Sequence, residues 1–177
     1  AFTQAYCQVP VCGATRASLL TGIRPARRRF VDYATWADQD ASGARTLPQQ
    51  FREHGYTTSA IGKVFHHASD TAARSWTRGP WLPTSTDSWR NYLLPDNAAY
   101  DAEGHRGPPT ECADVPDGAY FDGRIADEAI RQLHAFKASG EPFFLAAGFM
   151  KPHLPFNAPR TYWDYYRRDR IDLARNP

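Results

Sequence analysis

The chain has little sulfur, no long apolar run and no excess of charge of one sign. Three cysteines, Cys7, Cys12 and Cys112, are odd in number and irregularly spaced over 177 residues, which argues against a disulfide framework. Cys7 and Cys12 also lack zinc-site spacing, and no paired histidines follow at the interval such a module needs. No stretch approaches the ~20 apolar residues of a bilayer-crossing helix, so no membrane span is expected. No basic-then-apolar leader opens the chain. Lys and Arg total 21 against 19 Asp and Glu, and a net charge of +2 selects no partner. The one dense basic cluster, Arg24, Arg27, Arg28 and Arg29, reads as a solvated loop. Nucleic-acid binding needs a wider basic face with interleaved aromatics, or a recognisable motif, and no such partner is expected.

What is present is a core-forming composition, 42% hydrophobic, in which strand-like and helix-like segments alternate. That alternation predicts an α/β fold. Residues 24–46 lack periodicity and read as loop. Leu47 to His54 reads as a helix, with Pro48 in its first turn and Gly55 as its stop. Tyr56 to Val64 reads as a strand. Residues 68–116, with Trp76, Trp81 and Trp89 and several prolines, read as an irregular excursion whose aromatics cover a core.

A long helix is predicted over Tyr120 to Ala138, ended by Gly140. Ile125, Ala126, Ala129, Ile130, Leu133 and Phe136 would form its packing stripe, while Asp127, Glu128, Arg131 and Gln132 face away. Phe143 to Phe149 reads as a buried parallel strand. Functional residues of such sheets gather in the loops after strand ends, where Lys63, His66, Lys151 and His153 fall. Lys151 is read as structural or as a pocket rim, and His67 as facing solvent. His54 and His134 are ordinary helix residues, and His105 lies in a Gly/Pro-rich loop with no assigned role. Cys7 is expected to be a small buried hydrophobe.

The densest signal is Cys12-Gly13-Ala14-Thr15-Arg16, continued by Ala17-Ser18-Leu19-Leu20-Thr21-Gly22. A helix beginning at Thr15 or its neighbour would set Cys12 just before its N-terminus, with Arg16 in the first turn and Thr15 as cap. Backbone N–H groups and the helix dipole would then face whatever Cys12 carries. This describes an anion site with a reactive sulfur at its floor.

Cys12 to Arg16 with the following Leu20-Thr21-Gly22 resembles the maturation signature of the type I sulfatases, with Ala14 where proline is commoner. Leu47-Pro48-Gln49-Gln50-Phe51 through Tyr56, Ile61-Gly62-Lys63-Val64-Phe65-His66 and Lys151-Pro152-His153-Leu154-Pro155-Phe156 are similar to the iduronate-type branch and its bacterial relatives. The resemblance implies an alkaline-phosphatase-like α/β fold, a central, mostly parallel sheet flanked by helices. Residues 1–177 would be part of one catalytic domain, truncated at both ends.

It also implies that a maturation enzyme oxidises Cys12 to formylglycine, whose hydrate attacks sulfur and then expels sulfate, a second step no thiol performs. Arg16 would hold the diol, His66 would accept its proton, and Lys63 and His153 would bind the sulfate, His153 beside the leaving oxygen. Calcium is the implied metal, with residue 12 among its ligands. The adjacent Asp pair and the Asp-His or Asp-Asn pair that complete its shell in the family are expected outside residues 1–177. The implied substrate is a sulfated sugar such as a 2-O-sulfated uronate, in a periplasmic, secreted or lysosomal setting. A phosphoester or phosphonate hydrolase of the same superfamily, or a silent binding relative, are the alternatives.

Overall fold

The computed structural model describes residues 4–83 and 89–171. Its elements are α1 (Cys12–Thr21), α2 (Ala37–Asp40), α3 (Leu47–Glu53), β1 (Thr57–Gly62), α4 (Ala72–Ser75), β2 (Arg78–Trp81), α5 (Pro95–Ala102), β3 (Thr110–Ala113), α6 (Phe121–Ser139), β4 (Phe143–Gly148), β5 (Phe156–Pro159) and α7 (Arg160–Trp163). Two compact units result: residues 1–82 with 128–149, and residues 83–127 with 150–177.

In the first unit β1 is the middle strand of a parallel sheet ordered β2-β1-β4. Thr58, Ser59, Ala60 and Ile61 are buried, as the centre of a parallel sheet requires. Ala14, Ala17 and Leu20 of α1 join Phe30, Ala37, Ala60, Phe65 and Trp76 in the core. The predicted helix at Leu47 is α3. Thr46 caps it with a reciprocal Gln49 contact, and Pro48 lies in its first turn.

Three expectations for this unit are corrected. Residues 24–46 are not all loop, because the Asp70 carboxylate accepts the Ala37 (2.7 Å) and Asp38 (3.1 Å) amides and so stabilises the short α2. Cys7 is exposed. β4 is only partly buried: it is an edge strand among the described residues, paired with β1 alone, and Phe143 and Ala147 are exposed.

The second unit has a two-stranded parallel sheet, β3 with β5. Buried Glu111 of β3 organises it. Its carboxylate accepts from the Leu93 amide (2.7 Å), the Leu94 amide (3.2 Å), Asn97 Nδ2 (2.8 Å) and the Tyr120 hydroxyl (2.8 Å). A carboxylate at the start of α5 meets orphan amides and the favourable end of the helix dipole. Burial and the Glu111 bond push the Tyr120 hydroxyl well above the ordinary phenol value. The interval 68–116 therefore holds α4, β2, α5 and β3 rather than unbroken irregular chain. Trp76 is buried as expected, but Trp89 is not.

The long helix α6 forms where periodicity places it, and Gly140 ends it with a positive φ of 69°. Its buried face differs from the predicted stripe. Glu128 and Gln132 are 9% and 6% exposed, whereas Ile130 and Leu133 are 54% and 46% exposed. The cause lies on β1, which presents a serine. Ser59 Oγ donates to Gln132 Oε1 (2.6 Å), and Gln132 Nε2 donates to Glu128 Oε1 (2.7 Å). Arg131 completes the chain on Glu128 at 2.7 and 2.6 Å. Polar groups that satisfy one another can be buried, and here they displace the apolar stripe. Gln132→Ala leaves Ser59 and Glu128 short of a partner and is expected to cost about 1–3 kcal/mol in urea denaturation. Leu133→Ser, a larger change of polarity, is expected to cost about 0.5 kcal/mol or less.

Candidate active site

Helix α1 begins at Cys12, three residues earlier than the Thr15 start that the residue pattern predicts. Extended Val11 is the N-cap, no side chain caps the helix, and the Thr15 amide bonds Val11 O at 3.0 Å, so Thr15 is inside the helix and is not its cap. The early start depends on Gly13, where any Cβ would overlap the Tyr33 carbonyl. That close approach also lets the Ala14 amide donate to Asp32 O at 3.1 Å. Gly22 ends α1 in the left-handed region, as predicted.

Cys12 thus stands in the first turn, and its Sγ lies 3.2 Å from His66 Nδ1. Arg16, one turn on, shares that helix face. Arg16 Nη1 donates to the carbonyls of Lys63 and, at 2.9 Å, Val64. The turn after β1 is held from its other side as well. Lys63 N donates to Gly148 O at 2.7 Å, and a Cβ on Gly148 would overlap the Lys63 carbonyl. β1 can leave the sheet there because Gly62 takes a φ of 68°. The structure therefore gathers Cys12, Arg16, Lys63 and His66 in the first unit.

The electrostatics are those of an anion site. Burial lowers both Arg16 and Lys63 below their ordinary values, the electrostatic influence of Cys12 opposes that in each, and Arg16 lowers Lys63 further. Neither cation forms an ion pair with a carboxylate among the described residues. Two partly buried positive charges beside a sulfur favour an incoming anion. His67, expected to face solvent, is partly exposed and also stacks on Trp36, with centroids 4.2 Å apart and planes 10° apart.

His153 belongs to the second unit, in the loop between β4 and β5. Asp122, in the first turn of α6, holds that loop by accepting the Met150 amide at 2.7 Å and the Lys151 amide at 3.1 Å. Lys151 is itself lowered by burial, with Asp122 opposing. His153 Nδ1 lies 2.6 Å from Leu154 O. A carbonyl only accepts, so Nδ1 carries the hydrogen and Nε2 remains for a ligand. Sequence reasoning missed Asp122, Gly13 and Gly148. The glycine that closes the apolar run Phe143–Gly148 was the visible signal for the last.

Calcium is a poorer match to these residues. It takes several hard oxygen ligands, but the groups around Cys12 are a thiol, an imidazole and two cations. Among the described residues no three His, Cys, Asp or Glu side chains cluster as a metal site. By themselves they do not fit a calcium ion.

Two substitutions check the geometry and the charge. Gly148→Ala is expected to lose about 2 kcal/mol or more in denaturation, because backbone must move to admit the methyl. Since Lys63 is lowered by burial, the native state releases its proton more readily than the unfolded chain does. The charged amine therefore opposes folding in full below the lowered value, and the penalty fades as pH rises toward the ordinary value of 10.5. Lys63→Met should be the more stable protein at neutral pH, with the gap closing in alkaline urea titrations.

A family model described as "Sulfatase" matches residues 1–177. "Iduronate 2-sulfatase" of Mus musculus is 36% identical over 99% of this chain and 33% of its own length. The Homo sapiens protein of the same name is 35% identical over the same shares. A "Sulfatase" of Formosa agariphila is 27% identical over 96% of this chain and 35% of its own length. The chain thus spans about one third of the length of these relatives. With the match running from end to end and the α/β layout of parallel sheets flanked by helices, this chain belongs to the sulfatase family.

Proposed function

We propose that the whole protein hydrolyses a sulfate monoester on a sulfated sugar, of the 2-O-sulfated uronate kind, with residue 12 matured to formylglycine. One observation carries this reading: Cys12 at the head of α1 has His66 Nδ1 at 3.2 Å and shares its surroundings with the partly buried charges of Arg16 and Lys63. The iduronate 2-sulfatases among the relatives support the choice of substrate.

When matured, the side chain at residue 12 supplies a self-regenerating oxygen nucleophile in place of sulfur. His66, already within hydrogen-bond reach of that side chain, takes up the proton released there. Lys63 places a compact charge against the sulfate, and charge aimed at a transferring group is usually the largest catalytic term. Arg16 has two roles. Its guanidinium stays charged at any working pH, and its Nη1 bonds hold the Lys63 turn in place. His153, with Nδ1–H fixed on the Leu154 carbonyl, binds the sulfate or protonates the departing alcohol through Nε2 in its imidazolium form, in which Nε2 also carries a proton to donate.

Residues 1–177 are read as part of one catalytic domain. Calcium, if bound, needs carboxylates from outside these residues, and no step assigned here runs through it. The partners in this reading are a sulfated carbohydrate and a formylglycine-generating maturation enzyme.

The test is made on the whole protein. An aldehyde at residue 12 should be detected by mass spectrometry and hydrazide labelling, with release of sulfate from a uronate 2-sulfate. Cys12→Ala should abolish release while leaving the circular dichroism spectrum unchanged. Lys63→Met should reduce kcat by about 10²–10³-fold. Near-normal turnover in Cys12→Ala would remove the nucleophile assignment.

A further inference from the structure

The second unit contains a cleft of about 360 Å3, walled by Trp89, Tyr92, Arg106, Pro108, His153 and Leu154. We infer that this cleft binds an acidic pyranose ring, with Arg106 taking the ring's carboxylate or sulfate and Trp89 contacting its C–H face. The ring's identity rests on the sulfated-sugar reading above, whereas the pocket and its preference for anions rest on the wall alone.

The volume lies at the small-ligand end of the usual range. Among the described residues no acidic side chain lines the cleft, although two arginines and a histidine do. The two arginines differ in what they are free to do. Arg90 pairs with buried Asp101 at 2.7 Å and lies 4.9 Å from the Trp89 ring centre, so its charge is answered and it serves as wall. Arg106 is exposed and makes no hydrogen bond or ion pair among the described residues. Its planar fork of donors matches a carboxylate or sulfate and keeps its charge at any working pH.

The apolar part of the wall argues for a ring rather than a bare inorganic ion. Trp89 is 48% exposed and stands edge-on to His153, centroids 5.0 Å apart at 86°. An aromatic of that size left half in water beside prolines offers a flat apolar surface of the kind that sugar C–H faces cover. The wall is also built in advance of any ligand. Tyr92 donates its hydroxyl to Pro108 O at 2.6 Å. At Gly107 an added Cβ would come within 2.6 Å of the Tyr92 ring, so the loop carrying Arg106 lies directly on that ring. Asn157 Nδ2 ties the Arg90 and Asn91 carbonyls to β5 at 2.9 and 3.1 Å. A pre-formed wall lowers the ordering cost of binding.

The test titrates the whole protein with a heparin-derived disaccharide bearing one uronate carboxylate and sulfate groups, followed by calorimetry and tryptophan fluorescence. Arg106→Ala is expected to weaken binding about tenfold or more, with its thermal midpoint unchanged. Trp89→Phe should remove the fluorescence response while retaining part of the affinity. Carboxyl-reduced and desulfated versions of the disaccharide identify which anion Arg106 holds, because the one that matters loses its sensitivity to Arg106→Ala. Equal affinity in the native protein and Arg106→Ala overturns the inference, as does a neutral disaccharide binding as well as the acidic one. Inorganic sulfate binding as tightly as the disaccharide would reduce the cleft to a simple ion site and also overturn it. Cys12→Ala separates the two readings, since it should keep the disaccharide affinity while losing turnover. Binding without any turnover would defeat the sulfatase reading alone. Turnover with an unchanged KM in Arg106→Ala would defeat the cleft alone.

Discussion

The Lys63 carbonyl is held between a guanidinium and a glycine, and the geometry of the first unit's site depends on that restraint. Arg16 reaches from α1 to the carbonyls of Lys63 and Val64, while β4 comes so close that residue 148 can carry no side chain. A strand end is normally free to fray, yet this one is tied to a helix on one side and to a neighbouring strand on the other. The Lys63 amine and the His66 ring therefore emerge from a turn whose path is set by backbone contacts. That suits a site in which small displacements of charge matter, because preorganised groups need no reorganisation during reaction. The same contacts bring two cations together with no ion-paired carboxylate among the described residues, an unfavourable arrangement that an anionic ligand would relieve.

The second unit solves the same positioning problem with carboxylates. Glu111 gathers the amides at the head of α5 together with Asn97 and Tyr120, and Asp122 gathers the amides that open the loop bearing His153. Each acid replaces water around orphan backbone donors. Irregular chain can then be as well ordered as a helix, because its amides are satisfied locally. This explains why a proline- and tryptophan-rich interval supports a defined cleft.

Much of this was legible in the residues. The α/β alternation, the helix at Leu47, the long helix ended by Gly140, and the placing of Lys63, His66 and His153 after strand ends all follow from periodicity and turn chemistry. The signature around Cys12 pointed to the family. Three readings failed for one common reason, that a partner distant in sequence decides the outcome. The buried face of α6 turns on a serine in β1, the start of α1 on the Tyr33 carbonyl, and the short helix within residues 24–46 on the Asp70 carboxylate. Burial of β4 failed differently, since an apolar run signals a strand but not how many neighbours it has.

The polar chain from Ser59 through Gln132 to Glu128 has a consequence beyond its hydrogen bonds. Apolar helix faces tolerate sliding, because one methyl resembles the next and a shifted packing loses little. A helix that must deliver an amide to one serine has no such latitude. Displacing α6 by a turn would carry Gln132 away and leave the buried Ser59 hydroxyl without its bond to the helix, at a cost of about 1–3 kcal/mol. The network therefore acts as a molecular key, rejecting misaligned packings of the helix on its strand during folding.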